Sequence, residues 1–369
     1  MATELGTCRI RKLWAGRVVK LALLLGLLPM SAVAQMGQVF KDPLDIPAVV
    51  RSNAHNRPIL GLAVAGDRLI GVGSRGLVIF SDDKGETWTQ AVVPVQSDLL
   101  SVHFPVPLKG WAVGHDGVIL RSEDGGATWT KQLDGRIAEG SFKAFYTKPG
   151  GEGAYDATFV AQQLELNFKA GPALPYLDVW FENEQRGFVV GSFGMIAATQ
   201  DGGVTWEPML HRIDNPEGLN LNSIRALNGE TFVVGERGTV FQLERSSGRF
   251  IARTTDAAGS FFGAVANSEA MLAFGLRGTA YRSRDGGASW EKVDMPSDAT
   301  ITAGVVDPNT ERFVLLNSSG EILKGDVGAE RFAVHKPEGG MRYTGLVLVD
   351  PTTAVVSGLE GVRRTTLGR

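Results

Sequence analysis

The stretch GWAVGHDGVILRSEDGGATW, residues 110–129, decides the fold. A short apolar strand ends at Gly114, two residues lead to Gly117, and a second apolar strand runs over Val118–Arg121. Glycines bracketing two residues between strands read as a tight hairpin, since glycine accepts the positive φ that other residues resist. Ser122-x-Asp124-x-Gly126-x-Thr128-Trp129 follows. A short acid in a turn takes backbone N–H groups on its carboxylate, and the aromatic folds back over the hairpin.

Both halves recur. The hairpin returns as LIGVGSRGLVIF from Leu69, FVVGSFGMIA from Phe188, FVVGERGTVF from Phe232, LAFGLRGTAY from Leu272, VLLNSSGEIL from Val314 and VVSGLEGVRR from Val355. Its first residues, Gly73, Gly114, Gly191, Gly235, Gly275, Asn317 and Gly358, are spaced by 41, 77, 44, 40, 42 and 41. Asn317 is the best non-glycine substitute for a left-handed backbone. The turn returns as Asp83 with Trp88, Asp201 with Trp206 and Asp285 with Trp290, and degenerate copies end at Phe250 and Phe332.

The second repeat resolves into four strands: Leu100–Phe104, Trp111–Gly114, Val118–Arg121 and Trp129–Gln132. A four-stranded unit of this length is a propeller blade. The expected fold is therefore all-β, a seven-bladed β-propeller with four-stranded blades. Seven hairpins are followed by only six outer strands. An open blade would expose a raw edge. Residues of about 43–52, within and just past the string DPLDIPAVVR (42–51), are therefore expected to close the last blade through Ile46–Val50.

The long interval holds an insertion of about residues 134–175, between blades 2 and 3. Val160, Leu164 and Phe168 fall at i, i+4 and i+8, so a short amphipathic helix is expected there. The insertion joins an outer strand to the next inner strand and should rise on the face of the G-x-x-G turns. It reads either as a binding element or as a lid on its own blade.

Residues 1–34 look like a secretory signal peptide. Arg9, Arg11, Lys12, Arg17 and Lys20 precede an apolar run, Leu21–Leu28, and Ala32-Val33-Ala34 is a cleavage site. The propeller is expected over 35–369, in a periplasm. Cys8 is the only cysteine and lies in the leader, ahead of the apolar run. No disulfide framework is expected. Residues 1–34 carry five basic residues and one acidic one, so their removal takes the formal charge from −3 to −7. Such a balance excludes the basic footprint of a nucleic-acid binder.

Catalytic signatures are missing. Gly71-Val-Gly73-Ser-Arg-Gly76 matches G-x-G-x-x-G but leads into a strand, with no helix to hold a pyrophosphate. His55, His103, His115, His211 and His335 show no metal-ligand spacing. No metal, cofactor or catalytic residue is expected. A sialidase-like glycoside hydrolase is the enzymatic alternative, and it needs an arginine cluster, a Tyr–Glu pair and an acid. Here Asn56-Arg57-Pro58-Ile59 only scrambles the Phe-Arg-Ile-Pro motif of sialidases, while Tyr343 beside Arg342 imitates the nucleophile.

The repeated turn resembles the Asp-box, or bacterial neuraminidase repeat. The strings Gly110–Trp129 and RGFVVGSFGMIAATQDGGVTW (Arg186–Trp206) resemble the photosystem II stability/assembly factor family of seven-bladed propellers and its non-photosynthetic bacterial relatives. The resemblance implies a non-catalytic, extracytoplasmic assembly or stability factor, monomeric by itself, that binds a membrane protein or membrane complex. Outside photosynthesis it points to a transporter of the resistance-nodulation-division type. Photosynthetic members carry a lipobox cysteine that this chain lacks. Contacts are expected on the turn face and channel mouth, at the turn tips Arg75, His115, Asp116, Phe193, Arg237 and Arg277, and at His103, Arg225 and Arg342 on inner strands.

Overall fold

The strands before the G-x-x-G turns are apolar at nearly every position, and such strands must be covered on both faces. A computed structural model, describing residues 41–148 and 157–367, shows how this is done. Seven antiparallel sheets follow one another along the chain, each ordered as a simple meander. Their inner strands are Ile59–Ala65, Leu99–His103, Tyr176–Phe181, Leu221–Leu227, Phe261–Ala266, Ile301–Val306 and Tyr343–Asp350. The second strands, such as Gly110–Gly114 and Gly187–Gly191, are buried throughout, sandwiched between neighbouring blades. Trp111 of blade 2 stacks on Phe181 of blade 3 with ring centroids 3.6 Å apart. The molecule is a seven-bladed β-propeller.

The repeated Ser/Thr-x-Asp turns form the hydrogen bonds that their chemistry requires. In the first, Thr87 N–H and Ser81 Oγ both donate to Asp83 Oδ1, at 2.9 and 2.7 Å, and Thr87 Oγ1 donates to Oδ2 at 2.6 Å. Asp124, Asp201 and Asp285 repeat the pattern. These bonds favour the carboxylate, so Asp83 and Asp285 are held down to about 2, first by the Thr87 and Ser289 hydroxyls. Each turn packs onto the preceding blade. A Cβ on Gly126 would lie 2.7 Å from Ile70, and one on Gly287 2.7 Å from Phe232. Trp129, Trp206 and Trp290 are buried and Trp88 is half-buried.

The hairpin turns correct the expectation about glycine. Gly73 and Gly114 are extended, with φ of −164° and −176°. What their positions forbid is a side chain: a Cβ on Gly114 would stand 1.9 Å from the carbonyl of Asp98. The positive φ falls two and three residues later, on Asp116 (60°) and Gly117 (63°). Asn317 is likewise absent from the left-handed residues. Its buried amide instead donates to Glu321 Oε2 at 2.7 Å and accepts from the backbone of Ser319 and Glu321.

Closure also differs from expectation. Six blades have four strands, and the last has three among the described residues. Ile46–Val50 does not join it. Pro47 has no N–H to give a ladder, Pro43–Asp45 forms a 3-10 turn, and Ala48 N–H donates to Val93 O at 2.9 Å. Gln96 N–H donates to Pro43 O, and Asp45 is held by Arg136. The segment is a strap across the turn face of blade 1. It starts at blade 2 and reaches blade 7, where a Cβ on Gly361 would meet His55 O. Inner strands complete the ring: Thr344 Oγ1 of blade 7 donates to Ile59 O of blade 1 at 2.6 Å. Ile59, Leu69, Ile79, Val347, Val355 and Val362 share one apolar cluster between the two blades.

The insertion holds two helices, α1 (Gly135–Thr147) and α2 (Ala157–Phe168). They rise on the turn face, as expected. Phe142, Val160, Leu164 and Phe168 are buried in the core that blades 2 to 4 share. Asp134 caps α1 through Arg136 and Ile137 N–H. The expected signal peptide, residues 1–34, lies outside the described residues.

Candidate functional site

The seven inner strands enclose a central cavity of about 480 Å³. Six of them carry a bulge at their second residue, and blade 3 has its irregularity at the matching point. A bulge leaves one residue unpaired and re-aims it. The residues so placed are Leu60, Leu100, Leu177, Asn222, Phe262, Thr302 and Thr344, and all seven line the cavity at its turn-face end. One register further in stand Gly61, Ser101, Asp178, Ser223, Gly263, Ala303 and Gly345. Six of these are small and uncharged, so Asp178 is the one charge of that ring.

Asp178 is buried, and every contact it makes is a donor. Ser101 and Ser223 hydroxyls donate at 2.6 and 2.8 Å, Ile224 N–H at 2.9 Å and Arg225 Nη1 at 2.5 Å. Arg225 spends the same Nη1 on Ile224 O at 2.6 Å. A carboxylate so surrounded ties blades 2, 3 and 4 together at the channel wall.

Near the opposite end the ring reads Ala63, His103, Trp180, Arg225, Val265, Val305 and Val347, matched by register to the second strands. His103 and Trp180 lie 4.2 Å apart between ring centroids, and the Arg225 guanidinium is 6.0 Å from Trp180. Phe181 N–H donates to His103 Nδ1 at 3.1 Å, so the neutral ring carries its proton on Nε2. Burial, then the Arg225 cation, pushes His103 down to about 3, against the opposing pull of Asp178. The imidazole is therefore uncharged at neutral pH. It stacks against Trp180, with Nδ1 taken by Phe181 N–H and Nε2–H left to donate.

The sequence candidates divide between two places. Arg75, Asp116, Phe193, Arg237 and Arg277 occupy the same step of successive turns, with φ of 57°, 60°, 53°, 53° and 52°. All stand on the turn face, with His115 beside Asp116. In four of the five, the backbone N–H is capped from the next blade: by Asp98 on Arg75, Asn220 on Phe193, Ser260 on Arg237 and Thr300 on Arg277. Each capping residue directly precedes an inner strand. Asp116 N–H goes to Ala173 O of the insertion instead. Arg237 also meets Glu217 at 2.6 Å, and Asp116 accepts from Ser97. Arg342 joins this rim, exposed, one residue before the inner strand on which it was expected.

His103 and Arg225 do not belong to the rim; they sit deep in the channel. Sequence reading missed their companions Asp178 and Trp180. An aspartate inside the apolar strand YLDVWF was the available signal, since a buried carboxylate demands partners. Tyr343 is buried, and the cavity lining contains neither tyrosine nor glutamate.

Over residues 64–146 and 157–249 the chain matches the family described as Photosynthesis system II assembly factor YCF48. It is 30% identical over 147 residues to the Photosystem II assembly lipoprotein Ycf48 of Synechococcus sp. (strain CC9902). That stretch is 39% of this chain and 41% of the relative's length, so the match spans about two fifths of the curated protein. Among solved structures, YCF48 bound to D1 peptide superposes with a TM-score of 0.60 at 15% identity, over 88% of this chain and 100% of that one. Virginiamycin B lyase from Staphylococcus aureus gives 0.62 at 11% identity, over 86% and 97%. At such identities the structural likenesses speak for the fold alone. Over residues 64–146 and 157–249 the repeats are similar to those of the photosystem II assembly factor YCF48 family, and the chain carries them in a seven-bladed propeller.

Proposed function

We propose that the protein is a periplasmic, non-catalytic assembly or stability factor that holds a segment of a membrane protein across its turn face and channel mouth. One observation carries the reading. Five consecutive turns place a non-glycine residue in left-handed backbone, where an L side chain costs about 1–2 kcal/mol. Strain kept at exposed positions points to a use outside folding. Four of those side chains are exposed and Asp116 is half-exposed, all on one face. The mouth beside them offers Leu60, Leu100, Leu177 and Phe262 to apolar side chains.

The family match supports an assembly role, and the relative described as bound to a D1 peptide supports a protein segment as ligand. A sialidase-like channel would need converging Arg, Tyr and Glu. Here Asp178 engages the single lining arginine, and the lining has no tyrosine or glutamate. For members outside photosynthesis the client we favour is an inner-membrane transporter. The test is a crosslinked pull-down of the protein from native membranes, repeated with Arg75, Arg237 and Arg277 all changed to glycine. Glycine suits the turn, so lost recovery reports on the side chains. Recovery of no membrane protein sinks the reading, and unchanged recovery by the triple variant removes the turn face from it.

A further inference from the structure

Blade 7 is one strand short among the described residues, and its third strand, Gly361–Thr366, pairs on one side only. In the other six blades this edge is taken. Ile79 and Phe80 pair with Gln90 and Thr89 in blade 1, and Ala197 and Ala198 pair with Pro208 and Glu207 in blade 3. Aligned through their second strands, the counterparts in blade 7 are Arg363 and Arg364. No other blade puts two charges in this slot; each of the rest has at most one.

We infer that an extended acidic segment of a membrane-protein partner completes blade 7, adding as a fourth antiparallel strand beside Gly361–Thr366. The inference rests on the proposed function and adds a mode of binding to it. A free edge is a template for pairing, and the six finished blades show what the slot holds. Charge selects the occupant. Arg363 now meets Glu360 at 2.5 Å and Gly339 O at 2.8 Å, and Arg364 meets Glu86. Both glutamates are largely exposed, and surface pairs of this kind contribute little, so acids on an incoming strand can replace them.

The other occupants fit worse. A second copy would set its own arginine pair against this one, and like charges directly opposite are destabilising. The chain ahead of blade 1 leads away: its strap is hydrogen-bonded to Val93 and Gln96, and Asp42 is near Arg136 of α1. At Asp42–Asp45 the described chain lies beside blade 2, not at the blade 7 edge.

The test uses the protein without residues 1–34 and a short capped valine peptide with two adjacent central glutamates, one for each face of the strand, and adjacent lysines in the control peptide. Amide hydrogen exchange is followed at residues 361–366 and affinity by fluorescence anisotropy. The glutamate peptide is expected to protect that strand and bind at least about tenfold tighter than its lysine twin. Arg363→Glu with Arg364→Glu should reverse the preference. Absent protection, equal affinities or protection only elsewhere would overturn the inference. So would slow exchange in the free protein that rises with its concentration, the sign of a second copy. Protection that disappears on deleting residues 35–40 would assign the slot to the chain itself, with the same consequence. No membrane is involved, so failure here leaves the pull-down standing, and failure of the pull-down leaves this result readable.

Discussion

At Arg237 the backbone sits where glycine is at ease, yet a long charged side chain is present. Arg237→Gly is therefore expected to leave stability unchanged or raise it by up to about 1 kcal/mol in urea unfolding, the relieved strain being offset by a freer unfolded chain. Gly114→Ala should behave oppositely and cost about 1–3 kcal/mol, because its methyl meets the Asp98 carbonyl. The two residues belong to one turn motif, but only the second is there for packing. Acid titration separates two further residue-level effects. His103 is lowered in the fold from 6.5 to about 3, so the unfolded chain binds its proton first as pH falls. Stability contributed by the neutral ring is full above pH 6.5 and drains away between there and pH 3, by at most about 1.4 kcal/mol per pH unit. Asp83, Asp285 and Glu321 are lowered as well, so their contribution is full only above their unfolded values of 3.8 and 4.5 and is lost towards pH 2. Melting temperature against pH should thus fall in two stages. His103→Gln should flatten the upper stage and spare the lower.

Among the elements, the strap and the helical insertion hold each other. Arg136 of α1 reaches Asp45 at 2.9 Å and the buried Asp134 at 2.9 Å, and Lys131 reaches Asp134 at 2.8 Å. Hydrogen bonds from Arg136 and Lys131 outweigh burial and hold Asp134 down to about 2. Arg136→Ala removes the link while leaving Asp134 its Lys131 partner. It should cost about 1–3 kcal/mol and speed hydrogen exchange in the strap more than in the distant blades 4 to 6. Helix α2 was legible from Val160, Leu164 and Phe168. Helix α1 was not, although Ala138, Phe142 and Tyr146 repeat the same spacing behind an Asp134 cap. Gly135 and Gly140 lower its intrinsic propensity, and tertiary burial of Phe142 overrides that penalty. The strap was misassigned for a related reason. Ile46–Val50 has strand composition, but Pro47 and the pull of Arg136 on Asp45 direct it across blade 1.

For the whole molecule, Asp178 is the test of how the ring is held. Asp178→Ala would leave the Arg225 cation, the Ile224 N–H and two serine hydroxyls facing the gap, and should cost about 3–5 kcal/mol. Asp178→Asn keeps the volume and an acceptor, and should cost less. Seven blades, their four-strand plan and the hydrogen-bonded aspartate turns were all readable from the chain, because each repeat is a local unit written in its own turn residues. Gly126 and Asp124 specify their turn whatever surrounds them. Tertiary structure decided what depends on register and closure. No local pattern marks the bulges that aim Leu60, Leu100 and Phe262 into the mouth. The same holds for the meeting of His103, Trp180 and Arg225, which come from three blades and are neighbours only once the ring has closed. Sequence alone thus determined the repeated blade, since its forces act within some forty residues. The channel wall and the strap were decided by packing between blades, whose partners lie far apart along the chain.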